Sequence, residues 1–274
     1  ASFFTSSGAF AESDEPLIRS GESIAFMGDS ITQQGASRSS GYVQLVGSGL
    51  AVNGIDVTLI PAGISGHKSN QMLSRLKGHV LDKNPDWMTL SCGVNDVWHR
   101  DRGVSLEDYK VNITEIVDQC EEAGVKVMIL TSTPIKETDN ELNQKLALYN
   151  DFLRELAEDR GLVLVDLNAD FWEELNQPTQ PRPHGNYLTS DGVHMNPNGN
   201  ILMATGILEG FGLSEEQVAK AQEEWNSKLT RVQAGCDVSV AKYKEISRLA
   251  AEQGISVNHL LAKVLSKGID ELVE

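Results

Sequence analysis

Cysteine is scarce in this sequence: Cys92, Cys120 and Cys236 are the only three among 274 residues. An odd number with no short paired spacing gives no readable zinc framework and speaks against a disulfide scaffold. Cys92 falls in an expected core strand and Cys120 on an expected helix, so both are expected as buried free thiols. Long apolar runs are missing too, and no stretch is long enough to cross a bilayer as a helix. Positive charge is in short supply, with 23 Lys and Arg against 39 Asp and Glu and a formal net charge of -16. That balance argues against a nucleic-acid partner, whose affinity comes from neutralising phosphates. It also argues against simple electrostatic attraction to an anionic membrane.

What is present is a chain long enough for one large domain, or one domain with an appendage. Five short runs, 23–27, 57–61, 87–91, 126–131 and 162–167, are nearly continuous in apolar or β-branched residues. They read as buried parallel strands. Helical spacing fills the gaps between them. Tyr42, Leu45, Val46 and Leu50 share a face, as do Met72, Leu73, Leu76 and Val80. Longer helices are expected over 106–123, with Gly124 as its stop, over 141–159, with Gly161 just beyond, and from about 198 to 209. Strand–helix alternation of this kind gives a doubly wound, flavodoxin-like α/β fold, a five-stranded parallel sheet with helices on both faces. Such sheets place their sites beyond the carboxyl ends of the strands. Ser30, Gly63 and Asn95 follow the first three strands and are therefore expected on one rim.

Four blocks carry chemistry. They are Gly28-Asp29-Ser30-Ile31-Thr32, then "PAGISG" from Pro61 to Gly66, "GVND" from Gly93 to Asp96, and "DGVHMNPNG" from Asp191 to Gly199. Each alone reads as turn or cap residues. Together they supply a hydroxyl at Ser30, a base at His194 and an orienting acid at Asp191. Oxyanion donors come from the Ser30 and Gly63 backbone and the Asn95 amide. Glycine at 63 is expected to let the backbone approach a substrate. Asp29 is expected to be structural, accepting backbone N–H groups beside Ser30. His67, His79, His99, His184 and His259 lack an adjacent acid in a site-like loop, although His99 sits where it could line a pocket mouth. Arg182 and Tyr187, in "RPHGNYLTS", are candidate substrate contacts. The form Asn112-Ile113-Thr114 matches a glycosylation sequon but falls within a helix.

These blocks, in this order and strand context, resemble the SGNH (GDSL-like) hydrolase family over about 23–211. The resemblance implies a serine esterase with Ser30, Asp191 and His194 catalytic, and Ser30, Gly63 and Asn95 forming the oxyanion hole. It implies no metal and no cofactor. Many members carry an Asn two residues before the second-block glycine, where this chain has Pro61. The implied substrates are short acyl esters, O-acetylated carbohydrates, lysophospholipids or thioesters. The polar character of the pocket-facing loops expected at 33–40, 67–70 and 98–103 favours a small acyl group, acetyl, on a carbohydrate or another polar alcohol, over a lysophospholipase or thioesterase. Two rivals from other classes are a metal-dependent phosphoesterase using Asp29, Asn95, Asp96 and His194, and a non-catalytic carbohydrate-binding protein.

The ends of the chain read differently. The domain is expected over 21–212, after a lead-in over 1–20. Ala9-Phe10-Ala11 fits the small-x-small rule for signal-peptidase cleavage, but a charged n-region and a full apolar region are missing. A trimmed export signal would mean a secreted or periplasmic protein; a polar lead-in would leave a cytoplasmic location open. Over 213–274 a mostly helical extension is expected. It opens with a capping box at Ser214 and Gln217, then a face of Val218, Ala221, Trp225 and Leu229. A possible short strand follows at 236–240, then two helices, the second capped by Ser256. This end weakly resembles a ribbon-helix-helix module, but five Lys and Arg against six Asp and Glu over 236–274 argue against DNA. Packing on the core, or a homodimer through the extension, is the simpler expectation.

Overall fold

The computed structural model describes residues 15–178, 185–230, 236 and 238–274. The expected cleavage segment at 9–11, together with Arg182 and His184, lies outside the described residues. The chain divides into two compact units, 1–230 and 231–274.

In the first unit β1 (Ser23–Gly28), α1 (Ser30–Ser37), α2 (Tyr42–Val52), β2 (Thr58–Gly63), α3 (Ser69–His79), β3 (Trp87–Ser91), α4 (Val94–Trp98), α5 (Leu106–Glu122), β4 (Lys126–Leu130), α6 (Glu141–Arg160), β5 (Val163–Val165), α7 (Leu167–Asn176), α8 (Pro197–Gly210) and α9 (Glu215–Trp225) follow one another. The five strands form one parallel sheet in the order β2-β1-β3-β4-β5. Packing among α3, α5 and α6 covers one face, and α2, α8 and α9 pack together on the other. The central strands β1, β3 and β4 are buried on both sides, as the interior of a parallel sheet requires, while the edge strands β2 and β5 are partly exposed. Strand order reverses at β1, whose neighbours are β2 and β3, so the crevice beyond the carboxyl ends of these strands is the natural place for a site.

The register fixes that rim. Gly28 pairs with Gly63 across β1 and β2, and Met27 with Leu90 across β1 and β3. Thr58 N donates to Glu22 O and Ile64 N to Gly28 O. With a two-residue repeat, the even-numbered amides of β2 face β1 and the odd-numbered ones face away from the sheet edge. Pro61 stands at an outward position, where an edge strand tolerates the missing N–H. The Gly63 N–H points outward by the same alternation.

Three expectations need correction. The fifth strand stops at Val165 rather than running to 167, because Asp166 turns the chain into α7 and its carboxylate accepts from Ala169 N at 3.3 Å. Residues 33–37 are helical rather than loop, since Asp29 caps α1 through Ile31 N at 2.9 Å. No strand forms at Cys236, Val238 and Ser239; Ser239 instead caps the helix that starts at Val240. The capping box at Ser214 and Gln217 is present, and Val218, Ala221 and Trp225 are buried, while Leu229 is exposed. Thus α9, grouped by sequence with the extension, packs against α2 and α8 of the first unit. The Trp225 indole N–H donates to Leu45 O at 2.9 Å. Cys92 and Cys120 are buried free thiols, and Cys236 is exposed and free.

The second unit holds α10 (Val240–Glu252) and α11 (Val257–Val273), packed against each other and capped by Ser239 and Ser256. No helix among the described residues is long and apolar enough to cross a membrane.

Candidate active site

β1 delivers Ser30. At Gly28 a Cβ would stand 2.0 Å from Thr32 Oγ1, so only glycine lets α1 fold back this closely onto the strand end. Asp29 then caps the helix and Ser30 becomes its first residue. In that position the Ser30 N–H has no intrahelical acceptor and lies at the positive end of the helix dipole. The Ser30 side chain is buried among these elements.

His194 reaches Ser30 from a loop 164 residues away in sequence, its Nε2 lying 2.9 Å from Ser30 Oγ. Its other ring nitrogen, Nδ1, is 2.7 Å from Asp191 Oδ2. The second oxygen, Asp191 Oδ1, accepts from Val193 N at 3.0 Å and His194 N at 2.8 Å. One carboxylate therefore folds the turn and orients the ring that the turn carries. With an ionised Asp191 as acceptor, the Nδ1–H tautomer leaves Nε2 free to accept from the Ser30 hydroxyl. Partial burial pushes the Asp191 carboxyl up. The hydrogen bonds from the His194 backbone and ring and from Val193 N outweigh this and hold it below its ordinary range.

The remaining candidates sit on the same rim with partners that the sequence does not announce. Asn95, in the first turn of α4, donates through Nδ2 to Asp29 Oδ2 at 2.8 Å and to His67 O at 3.3 Å. Its amide hydrogens are thus turned to protein acceptors. A Cβ on Gly63 would meet Gln33 N at 2.4 Å and Thr32 C at 2.8 Å. The backbone of α1 is what a side chain at this position would strike. Asp29 is structural as expected, with one oxygen capping α1 and the other holding Asn95.

Of the four ligands of the phosphoesterase alternative, Asn95 donates to Asp29, while His194 bonds Ser30 and Asp191. Asp96 is fully buried and accepts from Ser69 N at 3.0 Å and Ser69 Oγ at 2.6 Å, fixing the start of α3. Burial raises its carboxyl, and the Ser69 bonds pull it partly back. Among the described residues no group of three or more His, Cys, Asp or Glu stands where it could hold a metal ion. Tyr187 is buried, its hydroxyl donating to Glu174 Oε1 at 2.8 Å, which turns it away from a substrate role. Asn112 of the sequon form lies on α5, with Nδ2 donating to Ser69 Oγ at 3.1 Å. His99 ends α4, and His259 is on α11 in the second unit.

Arg75 is a residue that sequence reasoning passes over. Its guanidinium donates to Gly28 O at 2.8 Å and Ala62 O at 2.7 Å, and Nε donates to His67 Nδ1 at 3.1 Å. It ties together the ends of the two strands that present Ser30 and Gly63. Burial lowers its proton affinity, and burial together with the neighbouring Arg75 charge lowers that of His67. The available signal is an arginine three residues after Met72, on the apolar side of α3.

Comparison with known proteins gives the family. Residues 26–201 match the model of the GDSL-like Lipase/Acylhydrolase family. An acetylxylan esterase from Geobacillus stearothermophilus is 26% identical over 215 residues, covering 71% of this chain and 96% of that protein. Among solved structures, an acetyl xylan esterase superposes with a TM-score of 0.62 at 33% identity, covering 68% of this chain and 98% of its own. An alpha/beta hydrolase from the metagenome of Lake Arreo, Spain, gives a TM-score of 0.64 at 26% identity, over 72% of this chain and 98% of that one. In the G. stearothermophilus enzyme a serine-to-alanine variant is described as a catalytic mutant. With its sheet, its four blocks and this match in agreement, the chain belongs to the GDSL-like lipase/acylhydrolase family and is a carboxylic ester hydrolase.

Proposed function

We propose that the chain is a serine esterase that removes short acyl groups, acetyl foremost, from a carbohydrate or another polar alcohol through an acyl-enzyme. The observation that carries the reading is the hydrogen-bonded chain Ser30 Oγ–His194 Nε2–Asp191, at 2.9 and 2.7 Å. Ser30 Oγ attacks the ester carbonyl and its proton passes to His194 Nε2, the imidazolium being stabilised by Asp191. The tetrahedral oxygen is met by the Ser30 N–H at the start of α1 and by the outward Gly63 N–H. Asn95 joins them by exchanging its longer bond to His67 O for the oxyanion. Collapse expels the alcohol, which takes the proton from His194. Water, activated by the same imidazole, then releases the acid. Every proton in this scheme moves between the chain's own residues and the reactants, so it calls for no cofactor.

The acyl preference is supported by the polar residues of 67–70 and 98–103 and by the acetylxylan esterases among the relatives. The test is hydrolysis of p-nitrophenyl acetate and octanoate. Ser30→Ala is expected to lower kcat by about 10⁴-fold or more, with acetate preferred by the parent. Full activity in Ser30→Ala would sink the scheme, and EDTA sensitivity of that activity would point to the phosphoesterase alternative. A preference for octanoate would favour the lysophospholipase or thioesterase reading.

A further inference from the structure

The loop carrying Asp191 and His194 is held by a buried acid outside the four blocks. Glu137 lies between β4 and α6 with a side chain only 5% exposed. Its Oε2 accepts from Tyr187 N at 2.7 Å. Its Oε1 accepts from Leu188 N at 3.0 Å, Thr189 N at 2.7 Å and Thr189 Oγ1 at 2.5 Å. Thr189 Oγ1 in turn accepts from Gly192 N at 3.1 Å, and Ser190 N donates to His194 O at 2.7 Å. A second strut is parallel to the first: Lys136 N donates to Gly192 O at 2.6 Å.

The platform beneath is braced and strained. Asn140 and Asn143 each donate through Nδ2 to Ile135 O and Thr138 O, and Asn143 Oδ1 accepts from Ile135 N at 2.7 Å. Between these clamps Lys136 and Glu137 take φ of 65° and 48°, a left-handed conformation unusual for residues with a Cβ. Strain of this kind persists where surrounding contacts over-determine the backbone. Here it aims a carboxylate at three successive amides of the loop that leads to His194.

We propose that Glu137 is a positioning residue for the esterase reaction, setting the placement of the Asp191–His194 turn against Ser30. The proposal rests on the serine-esterase reading for its kinetic consequence. A displacement of about 1 Å in a reacting group can lower the rate by about 10²-fold, so anchoring of this turn belongs to kcat rather than to substrate affinity. Glutamine in place of Glu137 would keep the volume but set a donor amide against backbone N–H groups.

The experiment compares Glu137→Gln and Glu137→Asp with the parent on p-nitrophenyl acetate. Reactive serines are titrated with a fluorophosphonate, and amide hydrogen exchange is followed in the folded proteins. For Glu137→Gln we expect kcat per titrated site to fall by about 10- to 100-fold with KM changed by less than about two-fold. Exchange should rise at 187–190 and stay unchanged in β1 and β3, and Glu137→Asp should recover part of kcat. A kcat per titrated site within about two-fold of the parent would overturn the proposal. That holds even with fewer active molecules, because it would show a merely structural role. If Glu137→Gln fails to fold, Thr189→Val decides. A fall in kcat of about three- to ten-fold with faster exchange supports the proposal, and an unchanged kcat overturns it. Failure of the esterase reading looks different: Ser30→Ala would stay active while the exchange change at 187–190 persisted.

Discussion

Asp29 does two jobs with one carboxylate, capping α1 through Ile31 N and holding Asn95 Nδ2, and its burial has a consequence for stability. Complete burial pushes its carboxyl up from an ordinary 3.8 to about 6, with the Ile31 N–H and the nearby His194 ring pulling it partly back. Folding therefore raises its proton affinity. Its contribution to stability is full below about pH 3.8 and is lost as pH rises through about 6. Asp29→Asn removes that titration. The variant is expected to gain on the parent by up to about 3 kcal/mol between pH 4 and pH 7, on top of any constant cost of a weaker cap. Urea midpoints of both proteins at the two pH values test this, and an equal difference at both would refute it. At this scale the sequence reveals what is local. An Asp-x-x-His turn can orient its own imidazole within four residues, and Ser30 follows an apolar strand directly. It conceals what is distant. The Asn95 amide meets Asp29, 66 residues away, and the fit that demands glycine at 63 is made by the backbone of α1. Nothing in the neighbourhood of Arg75 or Glu137 in sequence shows which strand ends or loop amides they bind.

Elements whose burial is continuous are the ones legible from composition. All five strands fall within two residues of their expected bounds, and β3 matches in full, because a strand covered on both faces must be apolar throughout. The helices α1 and α7 are hidden for a different reason: each is launched by a polar cap directly at a strand end. Leu167 continues the apolar run of β5, but Asp166 ends the strand. Its carboxylate accepts from Arg154 Nε at 2.7 Å and Nη2 at 2.9 Å, from Thr131 Oγ1 at 2.8 Å, and from Ala169 N in the first turn of α7. Burial raises this carboxyl, but the Arg154 and Thr131 bonds outweigh burial and leave it below its ordinary range. Asp166→Ala removes the cap, for about 1–2 kcal/mol, and also strips Arg154 and Thr131 of an acceptor. We expect a lower urea midpoint with no change in KM, since α7 begins beyond β5, at the far side of the sheet from Ser30. A midpoint equal to that of the parent would remove Asp166 from the account of how this strand ends.

The whole molecule poses the question of where the hydrolase ends. Composition changes past Gly212, and a boundary there would assign 213–274 to a separate extension. Packing argues for a later one. Val218, Ala221 and Trp225 of α9 are buried, and Gly49 of α2 lies close enough that a Cβ would stand 3.0 Å from Ala221 and 3.1 Å from Trp225. Removing α9 would expose that surface of α2 and α8, and each large side chain lost is worth about 1.5–3 kcal/mol. The unit 231–274, by contrast, has its own two helices, and α11 buries no residue. Two truncations separate these readings. A chain ending at Thr230 is expected to keep kcat/KM on p-nitrophenyl acetate within about two-fold, because it retains the whole cooperative core. A chain ending at Gly212 should lose several kcal/mol and unfold at a markedly lower temperature. The same two proteins test the homodimer expected from the sequence. Leu261, Val264 and Leu272 are exposed on α11 at a three- to eight-residue spacing that gathers them on one side of a helix. If that side joins two copies, the full chain sediments as a dimer and the chain ending at Thr230 as a monomer. Sedimentation of the full chain as a monomer would exclude dimerisation through the extension.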